Sequence, residues 1–385
     1  MDQDGWDLLV CGGGVIGLSI AYQCAKQGWK VLVVDRGRFG RGASWAGAGI
    51  LPAGATVEAL DPIEQLRALS HRLHRRWAAE LRDLTGIDSE YRECGGVYLA
   101  RTPAERATLI ANEMWWDDHG IAYERLTSQE SRERIPALAN SLPFRMDGEC
   151  WWLPDDCRVR NPYHIDALVE ANRRLGVHLA NDREIVSFER DAGHVGAAST
   201  LIGRDQTGKT IRTLRVCLTA GAWSRQLLGL WGIETGIMPV RGQMVLYKLD
   251  APKFPFIINE GHRYLVPRDD GYLLAGSCEE EVGFDTSTTE SMISELREWA
   301  GSVLPDLKHA KVERTWAGLR PGSFDSYPYL GTVPGQENVF VASGHFRHGL
   351  HWSTGTALLM QQLMFGEETD IDLEPFRVLR GHNSK

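Results

Sequence analysis

Apolar positions follow two periods along this chain, and glycine or proline marks most of the places where one period gives way to the other. Residues 8–11 (Leu8-Leu9-Val10-Cys11) and 31–34 (Val31-Leu32-Val33-Val34) are short unbroken apolar runs, the pattern of strands buried on both faces. Between them, residues 15–27 read as a helix that Gly28 ends. Ile63, Leu66, Leu69, Leu73, Trp77 and Leu81 recur every three or four residues, which predicts a long amphipathic helix over 61–84, closed by Gly86. The pattern continues with a strand at 95–100, a helix at 103–119 and a charged surface helix at 128–134. Trp115 and Trp116 are expected in the core or at a subunit contact, which leaves a homo-oligomer open.

Trp151-Trp152 opens a new segment, and Asn161-Pro162 introduces a helix to about residue 175. Short strands follow at 177–188, and a strand at 215–219 runs into Ala220-Gly221-Ala222, a place where backbone can approach a ligand closely. Residues 239–247 and 264–277 read as antiparallel strands, with Asp269-Asp270-Gly271 as a hairpin turn. Residues 288–304 form an amphipathic helix, 338–344 a strand, and a last helix starts at Ser353, its amides facing something electron-rich. Parallel runs with helices stand at both ends of the chain and antiparallel runs in the middle. The predicted fold is α/β: a doubly wound, Rossmann-like domain with an α+β antiparallel-sheet domain inserted.

Composition narrows the picture only a little. At 385 residues two domains are the natural expectation, and 43% hydrophobic with 24% charged residues is ordinary for a globular chain. A net charge of -9 opposes a nucleic-acid surface, and basic runs such as 71–76 read as a solvated helix face. No apolar run reaches the ~18 residues that span a bilayer, and the start lacks the basic and apolar parts of a signal peptide, so a cytoplasmic protein is expected. Seven scattered cysteines without CxxC spacing oppose a disulfide framework and a zinc site.

The sharpest chemical signal lies between the first two strands. Gly12-Gly13-Gly14-Val15-Ile16-Gly17 is GxGxxG at the mouth of a helix, and Asp35 closes the following strand. Gly12 permits the turn, Gly14 lets amides reach a pyrophosphate, Gly17 lets the helix pack on the strand, and Asp35 can take both ribose hydroxyls. The unit predicts a dinucleotide and leaves NAD(H) and FAD both open. The small residues of loop 36–52 allow a second backbone approach to a flat or anionic ligand. Arg320 and Arg347, each among small or aromatic neighbours, suit a carboxylate or phosphate, or an internal acid. Tyr264, Tyr327 and Tyr329 could add hydroxyl donors. His345, His348 and His351 share one loop but lack a fourth ligand, so no metal is expected.

Several of these segments together, Gly12 to Gly17 with Asp35, SWAGAGI at 44–50, TAGAWS at 219–224, WAGLRPG at 316–322 and 343–355 with GHFRHG, resemble the D-amino acid oxidase superfamily of FAD enzymes. Within it the chain is most similar to the glycine oxidases of thiazole and thiamine biosynthesis, over nearly its whole length. The resemblance implies an FAD-binding domain from 1–84, 151–225 and 317–385, and a substrate-binding domain from 85–150 and 226–316. It implies that Val15, Ile16, Asp35 and Arg36 hold the adenosine half and pyrophosphate, with Ile185 near the adenine and Gly221 at a further approach. Ala43, Ser44, Ala48, Gly49 and Ile50 would lie along the ribityl chain and flavin. His345, Phe346, Arg347, His348, Gly349, Leu350 and His351 would close over the pyrimidine end.

Arg320 would clamp a substrate carboxylate, with Tyr264 a second donor and Arg347 near the flavin. The implied activity is oxidative deamination of glycine, sarcosine or a D-amino acid to the keto acid and ammonia, with dioxygen giving hydrogen peroxide. Two alternatives are a D-amino acid dehydrogenase with another acceptor and a flavin-binding assembly protein without turnover. Asp35 stands where such enzymes more often carry Glu, and bulky Trp45 sits beside the flavin loop. Arg320-Pro321-Gly322-Ser323 offers no cysteine for a flavin link, so FAD is expected to be non-covalent.

Overall fold

The two apolar runs near the start become adjacent parallel strands, Trp6–Cys11 and Val31–Val34, joined by the helix Val15–Lys26. The computed structural model describes residues 5–56, 58–138, 149–190 and 200–380; the first four residues, on which the reading of the amino terminus rests, lie outside them. The sheet continues through Thr210–Leu218 on one side and His178–Ala180 on the other, both parallel to their neighbours. Val339–Ser343, nearly the end of the chain, pairs parallel with Thr210–Leu218.

Successive residues of the first strand point to opposite faces. Leu8 and Val10 pack with Leu18, Trp77, Leu168 and Met360 of the helical layer, while Leu9 and Cys11 pack with Val216, Leu228 and Val341. Residues 8–11 and 31–34 are buried on both faces, and each fully buried aliphatic side chain contributes about 1.5–3 kcal/mol. The long helix is Pro62–Thr85, capped by the Asp61 carboxylate on the Ile63 amide at 2.7 Å and ended by Gly86 at φ +79°. Its basic run divides: Arg72, Arg75 and Arg76 are exposed, but His74 is buried.

A second, mostly antiparallel sheet has the order Lys311–Gly322, Met238–Lys248, Tyr272–Gly276, Arg263–Pro267, Ile257–Glu260, Gly96–Leu99, Cys150–Leu153, Glu124–Leu126. The helix Glu290–Val303 covers it with Leu296, Trp299 and Val303. The expected cuts at 150/151 and 316/317 both fall inside strands. Cys150–Leu153 pairs with Gly96–Leu99 across a long segment that holds the helices Pro103–Asp118 and Ser128–Arg134, a partnership that local pattern cannot reveal, and Lys311–Gly322 runs along Met238–Lys248. Residues 151–153 and 317–322 therefore belong with the antiparallel sheet. Trp116 lies in a small core with Trp151 and Ile121, whereas Trp115 is half-buried, stacked on His119. All seven cysteines are free, and among the described residues no helix is long and apolar enough to cross a membrane.

Candidate active site

A cavity of about 1020 Å³ is lined from both sheets. Pockets for single small molecules run to about 1,000 Å³ at most, so this one has room for an extended ligand. One end is built by the glycine turn. Gly12 sits at φ +120°, and a side chain there would meet the Thr219 carbonyl at 2.5 Å; one at Gly17 would meet the Gly12 carbonyl at 2.0 Å. The helix that follows starts at Gly14 without a side-chain cap or an acid in its first turn, so its amides keep their pull on an anion. Val15 donates its amide to the Ser44 hydroxyl at 2.9 Å, which brings the two loops together. The Asp35 carboxylate accepts from the Gly13 amide at 2.7 Å and the Gly37 amide at 2.9 Å; burial pushes its pKa up against their pull. The Arg36 guanidinium lies 3.9 Å from the ring of Trp223, which stacks on Phe284.

The middle of the cavity is floored by the loop 43–50, whose carbonyls are tied from behind. Asn161 donates to Ser44 O at 2.8 Å, Trp316 Nε1 to Ala46 O at 3.0 Å, and buried Arg268 to Ala48 O at 2.7 Å. Trp45, not on the cavity lining, packs beside Trp316.

At the other end stand Tyr264, Arg320 and Arg347 with His262 and Asn259. Arg320 donates to the Cys278 carbonyl at 2.9 Å and the Ser277 hydroxyl at 2.5 Å, both neutral acceptors. Its guanidinium lies where Gly242 leaves a gap: a Cβ on Gly242 would be 2.2 Å from both terminal nitrogens. Arg347 pairs with Glu279 at 2.6 Å and donates to the His262 carbonyl at 3.3 Å. Burial lowers the Arg347 pKa, the Arg320 charge lowers it further, and Glu279 opposes them. Among the described residues the Tyr264 hydroxyl has only the Met244 sulfur at 3.5 Å, a weak acceptor.

The cavity thus gathers Gly12, Gly14, Val15, Ile16, Asp35, Arg36, Ala43, Ser44, Ala48, Gly49, Ile50, Ile185, Gly221, Tyr264, Arg320 and the loop from His345 to Leu350. Gly17 is spent on helix packing. His351 points elsewhere, its buried ring 6.1 Å from that of His74. The start of the last helix also turns away: the Gly355 amide donates to the Ser70 hydroxyl of the long helix. Tyr329 lies under Arg380 and Tyr327 bonds Asp61, so these two hydroxyls are not cavity donors. The histidines of the loop separate, His345 bonding Thr356 at 3.0 Å and His348 stacking on Trp352.

Sequence reasoning passed over Asn161, Asn259, His262, Glu279 and Arg268. Only Arg268, beside the predicted hairpin turn, had a local signal. Asn161 Oδ1 and Asn259 Nδ2 are buried atoms of cavity-lining residues without a protein partner among the described residues. Such atoms belong to a site made for a polar ligand. With an uncapped helix start at one end, a carboxylate set for a ribose and a tied-back glycine loop between, the residues fit a dinucleotide that carries a flat ring system.

Comparison with known proteins agrees. The family profile described as DAO, FAD dependent oxidoreductase, matches residues 7–363. The glycine oxidase of Pseudomonas aeruginosa is 33% identical over 370 residues, covering 96% of this chain and 97% of that one. The crystal structure of glycine oxidase from Geobacillus kaustophilus superposes with a TM-score of 0.90 at 31% identity, over 97% of this chain and 98% of that one. The iminodiacetate oxidase of Chelativorans sp. superposes at 0.82 with 25% identity, over 96% and 98%. An enzyme built on this fold, lined this way and matched along nearly all its length belongs to the DAO family of FAD-dependent oxidoreductases, with FAD as its cofactor.

Proposed function

We propose that the protein oxidises a small amino acid, glycine or a near relative such as sarcosine or a small D-amino acid, to an imine that water splits into the keto acid and the freed amine, which is ammonia or, from sarcosine, methylamine. The observation that carries this reading is Arg320: a half-buried cation on the cavity wall whose partners among the described residues are all neutral. A substrate carboxylate completes it, and the Tyr264 hydroxyl is free to donate beside it. Held by that end, the substrate presents its α-carbon toward the loop 43–50 and cannot tumble, which converts binding into orientation. Among the described residues the acids lining the cavity, Asp35 and Glu184, are at the nucleotide end. The chain therefore brings no strong base to the α-carbon, in keeping with reaction from the neutral amine. Bound FAD, held without a covalent link, supplies the two-electron acceptor.

Dioxygen as the final acceptor, with hydrogen peroxide as product, is part of the proposal. So are a cytoplasmic location and a role in supplying thiazole or thiamine biosynthesis, which rest on the likeness to glycine oxidases. A second reading, an amine with two carboxylates, draws support from the iminodiacetate oxidase likeness, although Arg347 at this end is already paired with Glu279.

The test is anaerobic bleaching of the flavin band by glycine, sarcosine, D-alanine and D-proline. Arg320→Ala is expected to stay yellow and to lose roughly 10²–10³ in kcat/KM, the worth of one truncated charge-assisted pair. Loss of the flavin from that variant would make Arg320 structural. Oxygen uptake with the best amine separates an oxidase from a dye-linked dehydrogenase, and a scaffold without turnover would bleach with none.

A further inference from the structure

The two arginines at the substrate end differ in what they already hold. Both terminal nitrogens of Arg320 rest on neutral oxygens, and among the described residues it makes no ion pair. Arg347 is joined to the Glu279 carboxylate at 2.6 Å. One short segment does both jobs, since Ser277 and Cys278 supply the neutral acceptors and Glu279 the charge. His262, which also lines this part of the cavity, is pushed toward its neutral form by burial and by Arg263 and Arg347. What remains for a ligand is a single uncompensated cation.

We propose that Glu279 sets the charge class of the substrate: by occupying Arg347 it leaves one cationic anchor, so the site accepts an amine with one carboxylate and turns away an amine with two. This rests on the reading that the substrate is an amino acid held by Arg320. A second carboxylate reaching Arg347 must displace Glu279 or lie against it, and like charges repel. The Glu279 side chain is 42% exposed, so water screens that repulsion and the discrimination is moderate, about two- to fivefold.

The experiment uses the FAD-loaded enzyme and two amines that differ by one carboxylate, sarcosine and iminodiacetate. Flavin reduction is followed without oxygen in the wild type, Glu279→Gln, Glu279→Ala and Glu279→Lys. The ratio of kcat/KM for iminodiacetate to that for sarcosine is expected to rise about two- to fivefold in Gln and Ala alike and further in Lys, through a lower KM for iminodiacetate. Gln keeps the shape and Ala removes it, so agreement between them identifies charge as the cause, and either serves if the other does not fold. A ratio unmoved in the variants while sarcosine still bleaches the flavin overturns the inference and leaves the function intact. A ratio moved by Ala and not by Gln overturns it in favour of size. If neither amine bleaches the wild type but D-alanine does, D-alanine and D-aspartate supply the same ratio; if no amine of the whole panel bleaches it, the proposed function fails and this inference with it.

Discussion

Where the substrate anchor can sit is decided by a side chain that is missing. Gly242 lies on the strand beside Arg320, and the gap above its Cα holds the guanidinium. Gly242→Ala is expected to keep the fold and the yellow colour but to displace Arg320, raising KM for the best amine about tenfold or more with a smaller change in kcat; steady-state kinetics on the holoenzyme decide it. Asp156 gives a residue-scale prediction of another kind. It is fully buried, accepts from the Ala53 amide and the Tyr98 hydroxyl at 2.9 Å each, and burial raises its pKa to about 6. A carboxyl with a raised folded pKa favours the folded state most when protonated, so its contribution is full below about 3.8 and is lost as pH rises to about 6, by roughly 2–3 kcal/mol. Asp156→Asn is expected to remove that pH dependence in denaturant melts. Arg320 was legible in the sequence because a lone guanidinium among glycines asks for a partner. Glu279 was not, since an acid in a polar stretch looks like any surface charge until the fold sets it against Arg347.

The strand Lys311–Gly322 joins ring seat and anchor in one element. Alternate residues share a face, and Trp316, Gly318 and Arg320 follow that rule: the first bonds Ala46 O, the second lets Ala46 approach, the third holds the anchor. A Cβ on Gly318 would stand 2.4 Å from that of Ala46. Gly318→Val is therefore expected to push the short helix Ala43–Ala46 off its seat and weaken FAD binding, read as flavin released on dilution. The strand's motif was visible in the sequence, but its length was not. Gly318 and Pro321-Gly322 argue against a strand by composition, yet Lys311–Gly322 is the outer strand of its sheet, where a proline without an N–H is tolerated. The first βαβ unit was read almost to the residue, because strands buried on both faces and a glycine turn at a helix start are local signals. Pairings such as Cys150–Leu153 with Gly96–Leu99 are long-range and leave no local mark.

Over the whole molecule, buried imidazoles outnumber buried free carboxyls in their effect on pH. His74 and His164 lie beneath the loop that ends in His351, with His71 at the edge of the group. Burial lowers the pKa of His74 to about 4 and those of His164 and His345 to about 3. These groups stay neutral when folded and take protons below about 6.5 when unfolded, so their contribution is present above 6.5 and lost as pH falls. Each is worth up to about 1.4 kcal/mol per pH unit, and together they outweigh the opposite effect of Asp156. Tm is expected to fall steadily from pH 7 to pH 5; a level profile would mean that these rings reach water. The placement of Glu279 bears on how such a protein could diverge. Its neighbours Ser277 and Cys278 steady the anchor, but its own carboxylate touches neither the cradle for the nucleotide nor the strand beneath the ring. A descendant could therefore acquire a taste for acids of another valence by altering one half-exposed position, while its redox machinery passed unaltered from parent to offspring.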